Sequence, residues 1–424
     1  MRLDRGHARA LDAADPLRAW RERFVLPHDD SGRELVYLCG HSLGAQPTLA
    51  ADYVEEVMRD WRARGVDGFF AGSHRWLDYH ERALPALAAL AGAQPQEVTV
   101  MNTLTVNLHL LLASFYRPAG ERTALLIERP AFPSDRYAAE SQVRWHGLDP
   151  ARDLVEIAPR AGEHLLRTDD IVATLEREGP RIATVLLPGV QYLTGQRLDI
   201  RAITAAGQQA GCTVGWDLAH AIGNVPLDLH DAGVDFAVWC HYKYLNGGPG
   251  ALGGAFVHAR HAGRRDLPRL AGWWGHDAAT RFHMPPDFDP IPGAAGWQVS
   301  TPSILAMAPV VAALEHYATV GLAALRARSI ALTGYLEALI DARLAGRVTV
   351  LTPRDAHERG AALSLQLECG RDAARAAFDG LLARGVVPDW REPGVIRAAP
   401  VPFYNSYDDA WQFVDTLAAE FNSA

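Results

Sequence analysis

Lys243 lies in the stretch Asp235–Gly250, which reads D-F-A-V-W-C-H-Y-K-Y-L-N-G-G-P-G. An apolar run ends there and a polar, glycine-rich turn begins. In an open α/β sheet, ligands sit beyond the carboxyl ends of the strands. A lysine at such a place can pair with a carboxylate or clamp a phosphate. It can also act as a Schiff-base nucleophile if its surroundings lower its pKa. Taken alone, the salt bridge is the commoner outcome. Gly215–His220, G-W-D-L-A-H, sets Asp217 after another apolar run, Thr213–Trp216, at the same predicted edge of the sheet. Asp217 and Lys243 are 26 residues apart, room for one crossover and one further strand. A pyridine-ring cofactor needs a carboxylate opposite its ring nitrogen, because the protonated ring then serves as an electron sink. An aspartate after a strand can equally cap a helix, so the pair is more specific than either residue.

Two further segments suit the same chemistry. Met101–Asn107, M-N-T-L-T-V-N, follows a strand candidate and opens the helical run Val106–Tyr116. A helix start offers free N–H groups and the positive end of the dipole to a phosphate, and Thr105 adds a hydroxyl. Its plainer reading is a threonine helix cap. A-F-P-S-D, Ala131–Asp135, follows the run Ala124–Ile127. Phe132 there can lie against a flat ring and Asp135 can accept a hydrogen bond; Phe132 is otherwise a core residue.

Other motifs read as bland. Gly248-x-Gly250-x-x-Gly253 has the spacing of a dinucleotide fingerprint, but an apolar strand, Ala251–Val257, follows where a helix should open. The glycines then serve a turn that lets backbone approach a ligand. His241, His276 and His283 lack metal-ligand spacing, so no metal site is expected. Trp273–Trp274 is by default core or subunit interface. Cys39, Cys212, Cys240 and Cys369 form no CxxC pair and read as buried small hydrophobes.

The elements that must position these residues follow from periodicity. Residues 46–64 look helical, with Pro47 near the first turn and Leu49, Tyr53, Val57 and Trp61 on one face. From about 98 to 257, short apolar runs alternate with helical stretches: Val98–Met101, Ala124–Ile127, Ile182–Leu187, Thr213–Trp216, Phe236–Trp239 and Ala251–Val257. Ile200–Ala210, closed by Gly211, is one of the intervening helices. That alternation predicts a mainly parallel central sheet sandwiched by helices. After 306, Met307, Val310, Val311, Leu314 and Tyr317 form a helix face. Leu363, Leu365 and Leu367 then alternate as a strand, followed by a helix over 371–384, a strand at Val395–Ala398 and a helix from Ser406. The expected division is an N-terminal segment 1–45 packing with the small domain, a large α/β domain 46–305, and a smaller α+β C-terminal domain 306–424.

The chain has 424 residues, 49% hydrophobic and 21% charged, as in an ordinary globular protein. With 41 Lys+Arg against 50 Asp+Glu the formal net charge is -9, which argues against nucleic-acid or anionic-membrane partners. Arginine greatly outnumbers lysine, so each lysine is informative. The first twenty residues have no apolar leader pattern and no run spans a bilayer, so a cytoplasmic location is expected.

Lys243 after a strand, Asp217 upstream and a threonine-started helix before both resemble fold type I pyridoxal-phosphate (PLP) enzymes of the class V aminotransferase group. The local strings are more specific. M-N-T-L-T-V-N-L-H-L-L, A-F-P-S-D, P-G-V-Q-Y-L-T-G-Q, D-L-A-H-A-I-G-N, H-Y-K-Y-L-N-G-G-P-G, G-W-W-G-H and A-P-V-P-F-Y-N-S, from about residue 38 to 406, resemble the kynureninase family. The resemblance implies hydrolysis of L-kynurenine, or 3-hydroxy-L-kynurenine, to anthranilate or its hydroxy form and L-alanine, in tryptophan breakdown or NAD biosynthesis. It implies PLP on Lys243, its ring nitrogen at Asp217 and His220 nearby. Leu104, Thr105 and Tyr242 would hold the phosphate. Phe132, Pro133, Ser134 and Asp135 would line the ring, and Trp273 and Thr301 would complete the phosphate end from the partner of a homodimer with shared sites. Arg397 would hold the substrate α-carboxylate, a bidentate task suited to guanidinium; without the resemblance it reads as a surface arginine on an edge strand. Phe69 and Thr301 would read the aryl ring. Tyr242, beside Lys243, is the implied acid or base for ketone cleavage.

Two alternatives remain, another PLP enzyme of the group and a PLP-fold binding protein. An aminotransferase would use the same Lys and Asp. A cysteine desulfurase would need a reactive loop cysteine, whereas Cys369 closes an alternating strand. A PLP-fold binding protein without turnover would need less than the full set Lys243, Asp217, Tyr242 and Arg397.

Overall fold

The computed structural model describes residues 3–423. Its larger sheet has seven strands, in the spatial order Val98–Met101, Gly253–Val257, Phe236–Cys240, Thr213–Asp217, Ile182–Pro188, Ala124–Glu128 and Leu154–Ile157. The last five in that list from Phe236–Cys240 onward are parallel; Gly253–Val257 pairs antiparallel with both of its neighbours. The strand Leu154–Ile157, only half-buried at the sheet edge, carries too weak an apolar run to be read from sequence.

The central strands are buried on both faces, which is why they read as continuous apolar runs. One face packs Leu126, Val185, Leu187, Val214, Trp216 and Trp239 under helices that include Ile304–Val320. The other packs Leu125, Ile127, Leu186, Phe236 and Val238 against Leu104–Phe115 and Pro133–Trp145. Two sequence expectations change here. Pro47 is not in a helix but in a two-residue strand, Gln46–Pro47, paired with Phe24–Val25; the helix starts at Ala50. Trp61 points to solvent at 55% exposure while Val57 is buried, because the apolar stripe of this helix is narrower than the repeat suggested.

A second sheet of four antiparallel strands follows, in the order Val348–Val350, Leu363–Leu367, Val395–Ala398 and Asp389–Arg391. It packs with Leu322–Arg343, Arg371–Ala383 and Tyr407–Ser423 around Leu336, Leu365, Ile396, Phe413 and Leu417. Ser406 Oγ accepts the Asp409 N–H at 3.0 Å, an N-cap as its position predicts. The N-terminal segment joins this core: Ala8, Val36 and Leu38 lie in it, and Val36–Tyr37 pairs in parallel with Val386–Val387. The helix Ile304–Val320, by contrast, buries Met307, Val310, Val311, Leu314 and Tyr317 in the core of the large sheet.

Among the described residues no single helix is long and apolar enough to cross a membrane. One pair, Ile304–Val320 with Leu322–Arg343, passes by length and composition but is bent by 85°.

Candidate active site

Lys243 is the only lysine in the chain. It stands three residues beyond Phe236–Cys240, at the carboxyl edge of the parallel strands. Gly44 is packed against this turn: its N–H donates to the Tyr242 carbonyl at 2.8 Å, and a Cβ there would sit 2.4 Å from the Lys243 carbonyl oxygen. The N-terminal segment therefore fixes the lysine turn by backbone contact that only glycine permits.

The side chain enters a cavity of about 170 Å³ walled by Leu104, Thr105, Glu128, Phe132, Ser134, Asp135, Pro188, Val190, Tyr192, Asp217, Ala219, His220, Tyr242 and Lys243. Lys243 Nζ lies 3.1 Å from His220 Nε2 and 5.7 Å from the centre of the Phe132 ring. Burial, then the Lys243 ammonium, pushes the His220 imidazole far below its usual pKa, so it is neutral and can accept a hydrogen bond from Nζ.

Opposite the lysine, three carboxyl groups converge. Asp217 Oδ1 accepts the Ala219 N–H at 2.7 Å, which orients the group. Asp135 is buried, and its Oδ1 has no hydrogen-bond partner. Burial and the neighbouring Asp217 raise the Asp135 pKa well above the carboxylate range. Glu128, also buried, is pushed up to about 8 by burial. A buried carboxyl cluster in the same cavity as the lysine suits a ligand that brings a protonated ring nitrogen.

The far end of the cavity is different. The helix Leu104–Phe115 has no side-chain cap on its first N–H groups. Thr105 Oγ1 and Ser134 Oγ, each on the first turn of a helix, lie 2.7 Å apart. Gly253 passes directly beneath this helix start; a Cβ there would meet the Leu104 nitrogen at 2.9 Å. Free N–H groups, the helix dipole and two hydroxyls fit a phosphate. The residues present thus fit a flat, cationic, phosphorylated cofactor bound covalently through an amine.

Of the residues singled out from sequence, Leu104, Thr105, Phe132, Ser134, Asp135, Asp217, His220, Tyr242 and Lys243 line this one cavity. Pro133 opens the helix that carries Ser134 and Asp135. Tyr242 is half-buried, and burial with the nearby Cys240, Asp217 and Asp135 raises its hydroxyl pKa, so it stays protonated at neutral pH. Phe69 instead packs edge-on against Trp76, with ring centres 5.5 Å apart. Trp273 and Thr301 do not line the cavity. Trp273 is exposed and its Nε1 donates to the Arg281 carbonyl at 3.1 Å.

Arg397 is no edge-strand surface residue. It lies on an inner strand of the small sheet, 1% exposed, because two flanking strands and the N-terminal segment cover it. Its Nε donates to Asp389 Oδ2 at 2.7 Å, its Nη2 to the same oxygen and, at 3.3 Å, to Ser42 Oγ. Its Nη1 donates to the carbonyl of Tyr192, a residue of the cavity wall.

Sequence reasoning missed Glu128, Tyr192, His41, Ser42 and Asp389. Glu128 was within reach, since it closes a strand as Asp217 does. Cys39 and Cys369 also depart from expectation. Cys39 is half-buried and Cys369 exposed, because it lies past the end of its strand. His241 is fixed by Leu252 O and Trp239 Nε1. One group, Glu97 with His230 and His258, has its ligand atoms close enough for a metal ion. Glu97, however, accepts from His230 and two backbone N–H groups, and both histidines face protein partners as well.

Comparison with known proteins agrees with this geometry. The chain is 55% identical over 413 residues to the kynureninase of Xanthomonas campestris pv. campestris strain 8004, covering 97% of each. It is 52% identical over 412 residues to that of Koribacter versatilis strain Ellin345, covering 97% of this chain and 96% of the relative. The kynureninase C-terminal domain family model matches residues 325–417. A C-DES variant with glycine covalently linked to the PLP cofactor superposes with a TM-score of 0.76 at 19% identity, over 91% of this chain and 96% of that one. The cysteine desulfurase CsdA from Escherichia coli gives 0.73 at 17%, over 96% and 97%. These structures share the fold type I architecture of PLP enzymes, and at more than half identity over almost its full length the chain belongs to the kynureninase family.

Proposed function

We propose that the protein cleaves the Cβ–Cγ bond of L-kynurenine by hydrolysis, giving anthranilate and L-alanine with pyridoxal 5'-phosphate as cofactor. The observation that carries this reading is the sole lysine held at a neutral histidine, facing a buried carboxyl cluster, in a chain of this family. When bound, the cofactor supplies an electron sink for carbanions at the substrate's α- and β-carbons.

The chain's own residues supply the rest. Lys243 is the covalent attachment point and, once freed, removes the α-proton and returns it. His220 accepts a hydrogen bond from Nζ and so holds that nitrogen in place beside the reacting carbon. Asp217 keeps the ring nitrogen protonated, with Asp135 beside it. Phe132 covers the ring and excludes water; Leu104, Thr105, Ser134 and Tyr242 hold the phosphate end. Arg397 receives the α-carboxylate. Tyr242 retains its proton at neutral pH and would move it at the ketone oxygen or β-carbon during cleavage. Tyr242→Phe should lower kcat by roughly 10²–10³-fold while the cofactor's absorption band persists; near-normal turnover would remove this role.

The functional unit we propose is a homodimer, in which Trp273 and Thr301 complete a partner's site. Exposed Phe70, Trp273 and Phe282 support it, with Phe282 6.0 Å from the Phe70 ring and 5.4 Å from that of Trp273. Such a contiguous aromatic surface suits a subunit contact. Phe69, beside it in sequence, and Thr301 would read the aryl ring, so Phe69→His should shift the preference between kynurenine and 3-hydroxykynurenine. The proposed domains remain 1–45, 46–305 and 306–424, and a cytoplasmic site of action goes with them. The helix Ile304–Val320 in the larger core argues for a later hand-over near the start of the family match.

The deciding experiment incubates purified protein with PLP and L-kynurenine without any 2-oxo acid. Anthranilate fluorescence with equimolar alanine is expected. Product that forms only after a 2-oxo acid is added would instead favour an aminotransferase.

A further inference from the structure

His41 has no contact with solvent, yet neither of its ring nitrogens has a hydrogen-bond partner. Among the described residues it is the one buried histidine left so at both nitrogens. The contrast with His241, equally buried but bonded at both, shows that this fold can satisfy an enclosed imidazole. A polar ring enclosed without partners is costly unless a bound state uses it.

Its surroundings indicate what that state is. His41 Nε2 lies 3.5 Å from Asp389 Oδ2. Asp389 is held by Arg397 and, at 3.2 Å, by Arg391. On the other side the His220 ring is 6.3 Å away, itself beside Lys243. On its own segment, Cys39 and Tyr37 have pKa values raised by burial, so both are neutral at neutral pH. Two guanidinium groups therefore flank a single carboxylate. Burial first, and Arg397 second, hold the imidazole down at about 4, so it is neutral in the free protein.

We propose that His41 takes up a proton when the substrate's α-carboxylate docks on Arg397, so that two carboxylates can share one guanidinium. The proposal rests on the reading of Arg397 as the carboxylate anchor. Asp389 occupies the Nε and Nη2 side of Arg397; beyond it Nη1 donates to the Tyr192 carbonyl and Nη2, at a long 3.3 Å, to Ser42 Oγ, neutral partners that the incoming carboxylate would replace. A second anion there faces Asp389 at close range. A proton from solvent makes the His41 ring cationic, so that it faces Asp389 as a charged donor and offsets the added negative charge; it returns to solvent when the product carboxylate leaves. His41 is thus a positioning residue, acting through Asp389.

The sign follows. A group whose pKa rises on binding strengthens binding below its bound value, and that gain is lost as pH rises through it. The test is isothermal titration calorimetry of the holoenzyme with 3-benzoylpropanoate, which has the aryl ketone and carboxylate but no amine to condense with the cofactor. Titrations near pH 6 in buffers of low and high ionisation enthalpy count the protons taken up. The wild type should take up roughly half a proton or more per site, and its affinity should fall about tenfold towards pH 8. His41→Asn and His41→Phe should bind with no uptake and a flat pH profile. No uptake in the wild type, or equal uptake in both variants, overturns the proposal; the wild-type measurement alone suffices if the variants do not fold. Arg397→Gln separates the two ideas: unchanged affinity there overturns the anchor reading and the proposal with it, whereas lost affinity beside zero wild-type uptake overturns the proposal alone.

Discussion

The cofactor cavity gathers carboxyl groups and the arginine corner gathers guanidinium groups. In the cavity, Glu128, Asp135 and Asp217 face one lysine. In the corner, Arg391 and Arg397 face one aspartate, Asp389. In the first, burial keeps Glu128 and Asp135 protonated; in the second, two guanidinium groups have one carboxylate between them. Each is complementary to one end of the proposed contents: a protonated ring nitrogen in the cavity and a carboxylate in the corner. The two also differ in construction. The cavity grows from strand ends and helix starts of one sheet, so its parts are fixed by short local motifs. The corner joins Ser42, Tyr192 and the small sheet, segments brought together only by packing between the two cores.

Removing the positive group of the cavity should have the largest effect. Lys243→Ala is expected to lower turnover by about 10⁴-fold or more, since both the covalent link and the proton carrier go. Because the chain holds no other lysine, borohydride reduction of the holoenzyme should label one peptide in the wild type and none in the variant. A second labelled peptide or retained turnover would break the assignment.

In the corner the effect should be smaller and of another kind. Arg397→Lys keeps the charge but cannot serve Asp389 and a carboxylate on two edges. A loss of about 10²-fold in kcat/KM, carried mainly by KM, is expected from steady-state kinetics. A fall in kcat alone would move Arg397 away from ground-state binding.

The smallest expected effect concerns the acid surplus. Glu128 in the fold has a pKa of about 8, above its unfolded value. Its contribution to stability is therefore full below the unfolded pKa and is lost as pH rises through the folded one. Thermal melts of the cofactor-free protein should show stability declining across roughly pH 5 to 8, with a shallower decline in Glu128→Gln. Parallel curves for the two proteins would count against a protonated Glu128.

Much of the cavity was legible in the chain itself. Strands buried on both faces must read as apolar runs, and Lys243, Asp217 and the Thr105 helix start are placed by what immediately precedes them. Local strings therefore carried the fold type, the lysine turn and most of the cavity wall. The edge strand Leu154–Ile157 did not stand out, because a half-exposed strand has no distinctive apolar pattern.

Arg397 shows the limit. Nothing near it in sequence says that it is buried, because its cover comes from residues more than 200 positions away, such as Tyr192 and Ser42. His41 and Asp389 passed unnoticed for the same reason: a lone histidine and a lone aspartate have no pattern. Residue type and periodicity determined which chemistry the cavity can hold. Only the tertiary structure decided which distant charges meet, because Coulomb interactions and desolvation depend on separation in space and not along the chain.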